Sequence, residues 1–373
     1  SSTITVAVDD ANSDNDFDGV NDQTVSVTTT DNDVAGFTIT QSGGSTSVNE
    51  SGTTDTFTVV LDAQPTTDVV LQFVSGDTDE ATVTSLLVFT SGNWNSAQTV
   101  TVSGIDDEFV DLSQTTIITA SIVDVSSDDN FDSVNNQTVS VTTTDDDTAG
   151  FTITQSDGST SVNESGTTDT FTIVLTGRPT SDVVLNITSS DTSEATVTSA
   201  LTFTSGNWDT AQTVTVTGVD DNIIDGTITS TITVSVNDGS SNDSFDEVND
   251  QTVSVTTVDD DAAGFTIAQT GGSTSVNESG TTDTFTVVLD AQPASDVVLN
   301  ITSSDTGEAT VTSSLTFTSG NWNSAQTVTV TGVDDNLVDG TQTPTLTVTV
   351  NDGSSDNNFD GVNDQTVSVT TTD

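Results

Sequence analysis

The feature that most constrains this chain is a strict internal repeat. Trp94, Trp208 and Trp322 follow one another at intervals of 114 residues, and no insertion or deletion interrupts that spacing. The same interval separates Phe17, Phe131, Phe245 and Phe359, and the Ala-Gly-Phe triplets that begin at Ala35, Ala149 and Ala263. A fixed long period indicates one folded unit copied head to tail, so function must be sought in the array as well as in a single copy.

The period divides the chain into three copies and one partial copy. We expect domains at residues 34–147, 148–261 and 262–373, while residues 1–33 match only the last two strands of a preceding copy. The chain therefore resembles a window cut from a longer array, since a two-stranded hairpin alone is marginally stable in water. The alternative is that residues 1–33 complete another chain by strand addition. The last copy already holds all of its own strands and offers no vacancy for such an addition.

Each copy carries the pattern of an all-β domain. Segments such as 23–28, 56–59 and 98–102 alternate apolar and polar residues, and they are rich in Val, Thr, Ile and Phe. That alternation is typical of half-buried strands, and no segment has the three-to-four spacing of an amphipathic helix. For residues 34–147 the pattern predicts strands at 36–41, 45–50, 55–62, 68–75, 82–90, 97–105, 115–124 and 137–144, the first two forming one interrupted strand. About seven strands in a domain of this size predict an Ig-like antiparallel β-sandwich.

The inward-facing positions of these strands predict a core. Its members are the apolar residues that alternate with Thr and Ser, together with the periodic Trp and Phe. In the first complete copy they are Phe37, Val48, Phe57, Val59, Val69, Leu71, Phe73, Phe89, Trp94, Val100, Val102 and Phe131.

Composition excludes several classes of function. The chain has 58 Asp and Glu, a formal net charge of −57 and a single basic residue, Arg178, and it has no His and no Cys. Thiol and imidazole catalysis, disulfides and a zinc site with nitrogen or sulfur ligands are therefore excluded. Nucleic acid and membrane insertion are not expected either, because phosphate binding needs Lys and Arg. A cation is the natural partner, although salt adaptation or solubility also explains an acidic surface.

Acidic residues recur at three places in every copy. The motif Gly-Val/Ile-Asp-Asp-x-x-x-Asp follows a late strand, a Glu follows an early strand, and an Asp trio closes the copy. Ca²⁺ takes six to eight oxygen ligands, which such a convergence supplies. The predicted ligands are Asp106, Asp107, Asp111, Asp220, Asp221, Asp225, Asp334, Asp335 and Asp339 from the motif, Glu50, Glu164 and Glu278 from the early strand, and Asp145, Asp146, Asp147, Asp259, Asp260, Asp261 and the final Asp373 from the closing group.

These motifs resemble the Calx-β domain of sodium/calcium exchangers and of tandem repeats in surface proteins. The resemblance covers the whole period and rests on Val-Asn-Glu at 48–50, on Phe-Thr-Ser-Gly before Trp94, on 220–225, and on the junction 145–151. It implies an antiparallel sandwich that binds Ca²⁺ at the end bearing the closing trio, with the carbonyl of Phe109 as a further ligand. It also implies a ligand role for Asp77, Asp191 and Asp305. Two departures are the shorter Asp111 in place of the family's Glu, and Asn32 inside the first junction.

A second acidic cluster lies in the loop before the last strand. Its carboxylates stand at positions one, three, five and nine with Gly19 at six, which matches the start of an EF-hand loop without the flanking helices. Asn and Asp are also ordinary turn formers, so a simple turn is the alternative. The predicted ligands are Asp14, Asp16, Asp18 and Asp22, then Asp128 and Asp132, then Asp356, Asp360 and Asp364, with a weaker copy beginning at Asn242.

A topological argument relates the two clusters. If every connection reverses direction, the loops with Glu50, Asp77 and 106–111 lie at the same end of the sandwich as the closing trio, and the loop 128–132 lies at the opposite end. That loop would then face the closing acids of the preceding copy, Asp31 and Asp33. We therefore expect each junction to be a joint filled by Ca²⁺, with the ion rather than a packed protein seam holding neighbouring copies together.

The expected function follows from the array. Because each site recurs with the copy and the acids lie in end loops rather than in a cleft lined by aromatic residues, an enzyme is not expected. We expect a calcium-stiffened structural segment of an extracellular or cell-surface filament, sheath or adhesin stalk. Its partners would be neighbouring repeats of the same chain, with lateral self-association possible along exposed edges such as 137–144. The alternative is a calcium-sensing regulatory module of a membrane protein, which flanking transmembrane helices would indicate.

Overall fold

The computed structural model describes residues 1–373 as strands, loops and short 3₁₀ turns, without an α-helix. The all-β prediction is confirmed. No helical segment is long and apolar enough to cross a membrane. The chain forms two compact units, Ser1–Asp147 and Thr148–Asp373.

The first unit contains a hairpin and one sandwich. Its 3₁₀ turns are Asn15–Phe17, Ser42–Gly44, Asp124–Ser126 and Asp129–Phe131. Its strands are β1 Ser2–Val6, β2 Gln23–Val27, β3 Phe37–Gln41, β4 Thr46–Asn49, β5 Thr54–Leu61, β6 Val69–Ser75, β7 Ala81–Val83, β8 Leu86–Phe89, β9 Gln98–Gly104, β10 Phe109–Val110, β11 Gln114–Ile122 and β12 Gln137–Thr144. The sandwich consists of a four-stranded sheet in the order β3-β5-β9-β7 and a five-stranded sheet in the order β4-β12-β11-β6-β8.

The second unit repeats that sandwich twice. Its 3₁₀ turns are Ser156–Gly158, Asp238–Ser240, Asp243–Phe245, Thr270–Gly272, Asp352–Ser354 and Asn357–Phe359. Its strands are β13 Phe151–Gln155, β14 Thr160–Asn163, β15 Thr168–Leu175, β16 Arg178–Pro179, β17 Val183–Ser189, β18 Ala195–Val197, β19 Ala200–Phe203, β20 Gln212–Gly218, β21 Ile228–Val236, β22 Gln251–Val258, β23 Phe265–Gln269, β24 Thr274–Asn277, β25 Thr282–Leu289, β26 Val297–Ser303, β27 Ala309–Val311, β28 Ser314–Phe317, β29 Gln326–Gly332, β30 Thr345–Val350 and β31 Gln365–Thr372.

Two strands differ from the sequence prediction because the chain changes sheets. The single strand expected at 82–90 is two strands, of which β7 pairs with β9 and β8 pairs with β6. Similarly, β3 pairs antiparallel with β5, whereas β4, after the turn Ser42–Gly44, pairs parallel with β12. The sandwich is therefore not wholly antiparallel. A continuous alternating sequence does not reveal such a change of sheet, since both halves still bury alternate residues.

The core lies between the two sheets and contains the predicted residues. Phe57 and Phe73 meet edge to face with ring centroids 5.8 Å apart. All twelve predicted members are buried except Trp94, which is half-buried and packs against the rim of the core. Burial of a large apolar side chain contributes roughly 1.5–3 kcal/mol, so these aromatic residues dominate the stability of each copy.

The hairpin of residues 1–33 keeps the register of a complete copy without its core. Ile4 pairs with Val25 just as Ile118, one period later, pairs with Val139. Ile4 is nevertheless 54% exposed, whereas Ile118 is fully buried. In a complete copy, the second sheet covers this face of the two strands. In the hairpin, the same face is exposed to solvent.

The segment 137–144 is not an exposed edge. β12 lies between β11 and β4, and both neighbours pair with its backbone. The expectation that this strand pairs laterally between chains is therefore wrong. The edges of the five-stranded sheet are β4 and β8.

Within the second unit, the copies at 148–261 and 262–373 meet through direct protein contacts. The Ile224 amide donates to the Gln292 carbonyl at 3.2 Å, and the Gln292 amide donates to the Asn222 carbonyl at 2.7 Å. The Asn358 side-chain amide donates to the Ile224 carbonyl at 2.7 Å. The Ile224 side chain is 9% exposed and belongs to the core of the following copy.

This junction corrects one expectation and agrees with another. The loop that carries Asn358 does face the acidic loop of the preceding copy, as the topological argument predicts. However, the two copies contact each other directly, so the expectation of a joint without a packed protein seam is wrong here, and ion binding at the junction stays a prediction. The acidic loop 220–225 therefore has two roles. It carries carboxylates, and its residues 222–224, which we call the docking residues, contact the next copy.

The junction yields a matched pair of substitutions. Ile224→Ala is expected to destabilise the second unit by about 2 kcal/mol, because it empties an apolar contact at the rim of a core. Val338→Ala, one period later, is expected to change stability by less than about 0.5 kcal/mol, because Val338 is 98% exposed. Urea unfolding of both variants measures the difference. Equal effects would show that Ile224 does not hold the copies together.

Candidate metal centre

The periodic Glu is placed by the end of a short strand. In the second copy, β14 ends at Asn163, and the Glu164 amide donates to the Val258 carbonyl at 3.1 Å. Gly218, at the end of β20, lies beneath this point, and a Cβ there would overlap the Asn163 carbonyl. A residue larger than glycine would therefore displace the backbone that carries Glu164. Gly104 and Gly332 stand in the same relation to Asn49 and Asn277.

The first residue of the closing trio acts as a clamp between two loops. One carboxylate oxygen of Asp259 accepts hydrogen bonds from the Asp225 and Gly226 amides at 3.1 and 2.9 Å, and the other accepts from the Asp261 amide at 2.7 Å. Asp145 makes the equivalent three bonds in the first copy. The clamp brings the Asp-Asp-x-x-x-Asp loop and the closing trio to the same end of the sandwich.

Carboxylates from these loops converge in each of the three complete copies. In the second copy, ligand oxygens of Glu164, Asp221 and Asp261 lie within 4.8 Å of one another, and so do those of Glu164, Glu194 and Asp225. The same limit holds for three groups in the other copies: Glu50, Asp145 and Asp147; Glu50, Glu80 and Asp111; Glu278, Asp339 and Asp373. Because Glu50 and Glu164 each belong to two groups, each offers its oxygens to two adjacent positions.

Several of these carboxylate oxygens are buried and have no hydrogen-bond partner. Glu50 is 2% exposed and Glu164 is 1% exposed, and each keeps one such oxygen. A buried carboxylate without a partner is costly, so proteins pair such groups or use them to coordinate metals. The remaining unpartnered carboxylate oxygens are on Glu80, Asp111, Glu194, Asp261, Glu278 and Glu308.

Burial and mutual repulsion shift the acidity of the cluster. Desolvation, followed by the charges of Asp145 and Asp111, raises the pKa of Glu50 to about 7. Desolvation, followed by the charge of Asp259, likewise raises the pKa of Glu164 to about 7. Because the neighbouring charges that raise these pKa values are all carboxylates, the fully charged cluster is unfavourable unless a cation is present.

The sequence analysis missed one ligand candidate in each copy. Glu80, Glu194 and Glu308 lie one period apart and point into the same cluster. Desolvation, followed by the charge of Asp111, raises the pKa of Glu80 to about 7. A signal was available, because the chain has only eight Glu and six of them occupy just two periodic positions. Asp, by contrast, is spread through the turns.

Other predicted ligands lie at the margin of the cluster. Asp106 and Asp146 are exposed. Desolvation, followed by the charge of Asp145, raises the pKa of Asp147, and the charges of Asp146 and Asp106 contribute less. Asp77 is also exposed; its carboxylate accepts from the Asp79 amide at 3.0 Å, and its charge raises the pKa of Glu80. The counterparts Asp220, Asp260 and Asp334 are exposed as well. In the partial copy, Asp31 and Asp33 are exposed.

The EF-hand-like loop forms a capped 3₁₀ turn. Asp128 is 3% exposed, and its carboxylate accepts from the Thr66, Thr67 and Asn130 amides. The Thr66 hydroxyl also donates to this carboxylate, and this bond, followed by the amide bonds, holds the pKa of Asp128 well below its usual range. Asp14 and Asp356 cap the equivalent turns in their copies, and Phe131, Phe245 and Phe359 follow as buried anchors. The structure thus gives the loop a role that needs no ion, and calcium binding by Asp16, Asp18, Asp22, Asp132, Asp360 and Asp364 stays a prediction.

Comparisons with known proteins identify no family. No family model matches the chain, and no curated protein matches it. Among solved structures, the CBD12 fragment of CALX1.2 is 15% identical, with 53% of this chain and 79% of that chain covered and a TM-score of 0.23. An I-band fragment of titin is 8% identical, with 91% and 96% covered and a TM-score of 0.29. Domains 4–9 of the surface-layer protein SbsC are 19% identical, with 94% and 52% covered and a TM-score of 0.25. Similarities at this level assign no function to the chain.

Proposed function

We propose that the chain is a calcium-binding structural segment of an extracellular or cell-surface filament, sheath or adhesin stalk. The observation that carries this proposal is the set of buried carboxylate oxygens that converge without a partner at one end of each complete copy. An enzyme would need one such centre, whereas this one recurs with the repeat.

The donor set fits Ca²⁺ better than other common metals. All the donors are oxygens, and hard oxygen ligands select Ca²⁺ or Mg²⁺ over zinc or copper. Oxygens on opposite sides of a Ca²⁺ ion, at about 2.4 Å each, are about 4.8 Å apart. The carboxylate groups fall within that limit. Mg²⁺ demands a tighter octahedron and keeps its water, so a crowded carboxylate cage suits Ca²⁺.

Ion binding would act on the array through the acidic loop. Asp221 and Asp225 belong to the carboxylate groups, while Asn222 and Ile224 of the same loop contact the next copy. An ion that fixes the carboxylates therefore also fixes the docking residues between them. In this proposal Ca²⁺ stiffens a protein seam rather than replacing it, and thereby stiffens the array of copies.

Calorimetric titration of the whole chain with Ca²⁺ tests the proposal. We expect saturable binding, and we expect Glu164→Gln to abolish binding at one of the three centres or weaken it at least tenfold. Glu247→Gln is the matched control, because Glu247 is an exposed Glu of the same copy. Absence of binding at millimolar Ca²⁺, or equal effects of both substitutions, would contradict a calcium centre at Glu164.

A further inference from the structure

The outer face of the five-stranded sheet in the first copy is unusually apolar. Leu71 and Phe73 of β6 point into the core, so Val74 points outward, as do Leu86 and Val88 of β8 and Ile117 of β11. Val74, Leu86, Val88 and Ile117, which we call the apolar face, are 50%, 52%, 45% and 43% exposed.

The strand register makes these four side chains neighbours. Leu86 lies opposite Gln72 and is therefore diagonal to Val74 on the adjacent strand. Val74 lies opposite Thr119 and is diagonal to Ile117. Diagonal neighbours on one face are within reach of long side chains, so the residues form one contiguous patch across β8, β6 and β11.

The other copies have small or hydroxyl-bearing residues at the same positions. Thr occupies the positions of Val74, Val88 and Ile117 in both later copies, and Ala or Ser occupies that of Leu86. The counterparts are Thr188, Ala200, Thr202 and Thr231 in the second copy and Thr302, Ser314, Thr316 and Thr345 in the third. The sandwich therefore folds without an apolar outer face, and the four residues are not required by the architecture.

The apolar face is also free of charge. None of the strands β4, β6, β8, β11 and β12 contains an acidic residue, although the chain has 58 of them. The corresponding strands of the later copies are also uncharged and differ in lacking the apolar side chains, whereas surfaces that carry carboxylates repel any second copy of the chain. A basic partner would gain most from the carboxylates, whereas another copy of this chain can approach closely only where charge is absent.

We propose that the apolar face docks the same face of a second copy of this chain, forming a lateral twofold dimer. The five strands of this sheet are four to nine residues long, and at about 4.8 Å between strands and about 3.3 Å per residue the sheet covers about 500 Å² per partner, or about 1,000 Å² in total. That area corresponds to a weak dimer, which association along a filament would reinforce. The contact lies in the first copy alone, so it would join chains side by side at one level of the array.

Sedimentation equilibrium of the whole chain in calcium tests the proposal. We expect a monomer–dimer equilibrium that strengthens several-fold between low and high NaCl, because salt screens the repulsion between acidic chains. The variant Val74→Thr/Leu86→Ser/Val88→Thr/Ile117→Thr gives the first copy residues with which the third copy folds, and it is expected to weaken dimerisation at least tenfold. Melting curves check that it remains folded.

A reverse variant provides the second arm. Thr188→Val/Ala200→Leu/Thr202→Val/Thr231→Ile places an apolar face on the second copy and is expected to increase self-association. A wild-type chain that stays monomeric at several hundred micromolar, or a polar variant that dimerises equally well, would overturn the proposal. Dimers that dissociate on calcium removal but ignore all four substitutions would also overturn it. Calcium titration of the polar variant should match that of the wild type, which separates this proposal from the calcium function.

Discussion

Saturating calcium is expected to raise the melting temperature of this protein by about 10 °C or more. Ligand at a hundred times its Kd stabilises a domain by about 2.7 kcal/mol, and for a domain of this size each kcal/mol raises the melting temperature by about 4 °C. The physical reason is the removal of repulsion among buried carboxylates such as Glu50 and Asp111, whose unpartnered oxygens the ion would bind. Differential scanning calorimetry with calcium and with chelator measures the shift.

The triple variant Glu50→Gln/Glu164→Gln/Glu278→Gln should reverse that behaviour. Without calcium it is expected to be more stable than the wild type, because it removes a buried charge from each cluster. With calcium it is expected to gain little, because a ligand shared by the carboxylate groups is lost. Glu247→Gln, on the surface, should behave as wild type in both conditions. A triple variant that loses stability equally with and without calcium would show that the three glutamates support the fold in another way.

The pH dependence of stability is expected to change sign with calcium. The pKa values of Glu50, Glu80 and Glu164 rise from 4.5 to about 7 on folding, so between these values the folded protein binds more protons than the unfolded chain. In calcium-free buffer, stability should therefore be greatest near pH 4.5 and fall as the pH rises to 7. Calcium competes with those protons, so with calcium stability should rise over the same interval.

Thermal unfolding across pH 4.5 to 8, with and without calcium, measures both curves. The triple glutamine variant should flatten the calcium-free curve, since it removes two of these three groups together with Glu278, whose pKa is also raised by burial. Parallel curves with and without calcium would show that the glutamates do not bind the ion.

The sequence predicted the fold well where the pattern is local. Alternation located nearly every strand of the first copy, and 137–144 coincides with β12. Alternation failed at 82–90, where one alternating segment forms two strands in different sheets. Buried and exposed residues alternate in both sheets, so the pattern does not show where the chain passes from one sheet to the other. The expectation that 137–144 is an edge strand was also wrong. The neighbours of a strand depend on which distant segment pairs with it, and here β4 pairs with β12.

The sequence predicted at which end of the copy the candidate centre lies, but it did not predict all of the residues that form the centre. Glu50, Asp111 and Asp145 were identified because acidic residues recur at their positions in the later copies, and because the connections of the sandwich place their loops at the same end. Glu80 was missed because its turn carries several acids, although the recurrence of Glu at that position in all three complete copies distinguishes it from the Asp residues beside it. Asp128 has ligand-like spacing, yet the structure uses it to cap a turn, and sequence spacing does not distinguish these two uses of one carboxylate.

The most direct test of the calcium centre is anomalous diffraction from crystals grown in calcium. An anomalous peak is predicted among Glu164, Asp221 and Asp261, with equivalent peaks in the other copies and carboxylate oxygens about 2.4 Å from each peak. Crystals in millimolar calcium that show only water among these oxygens, with no anomalous signal, would contradict the account.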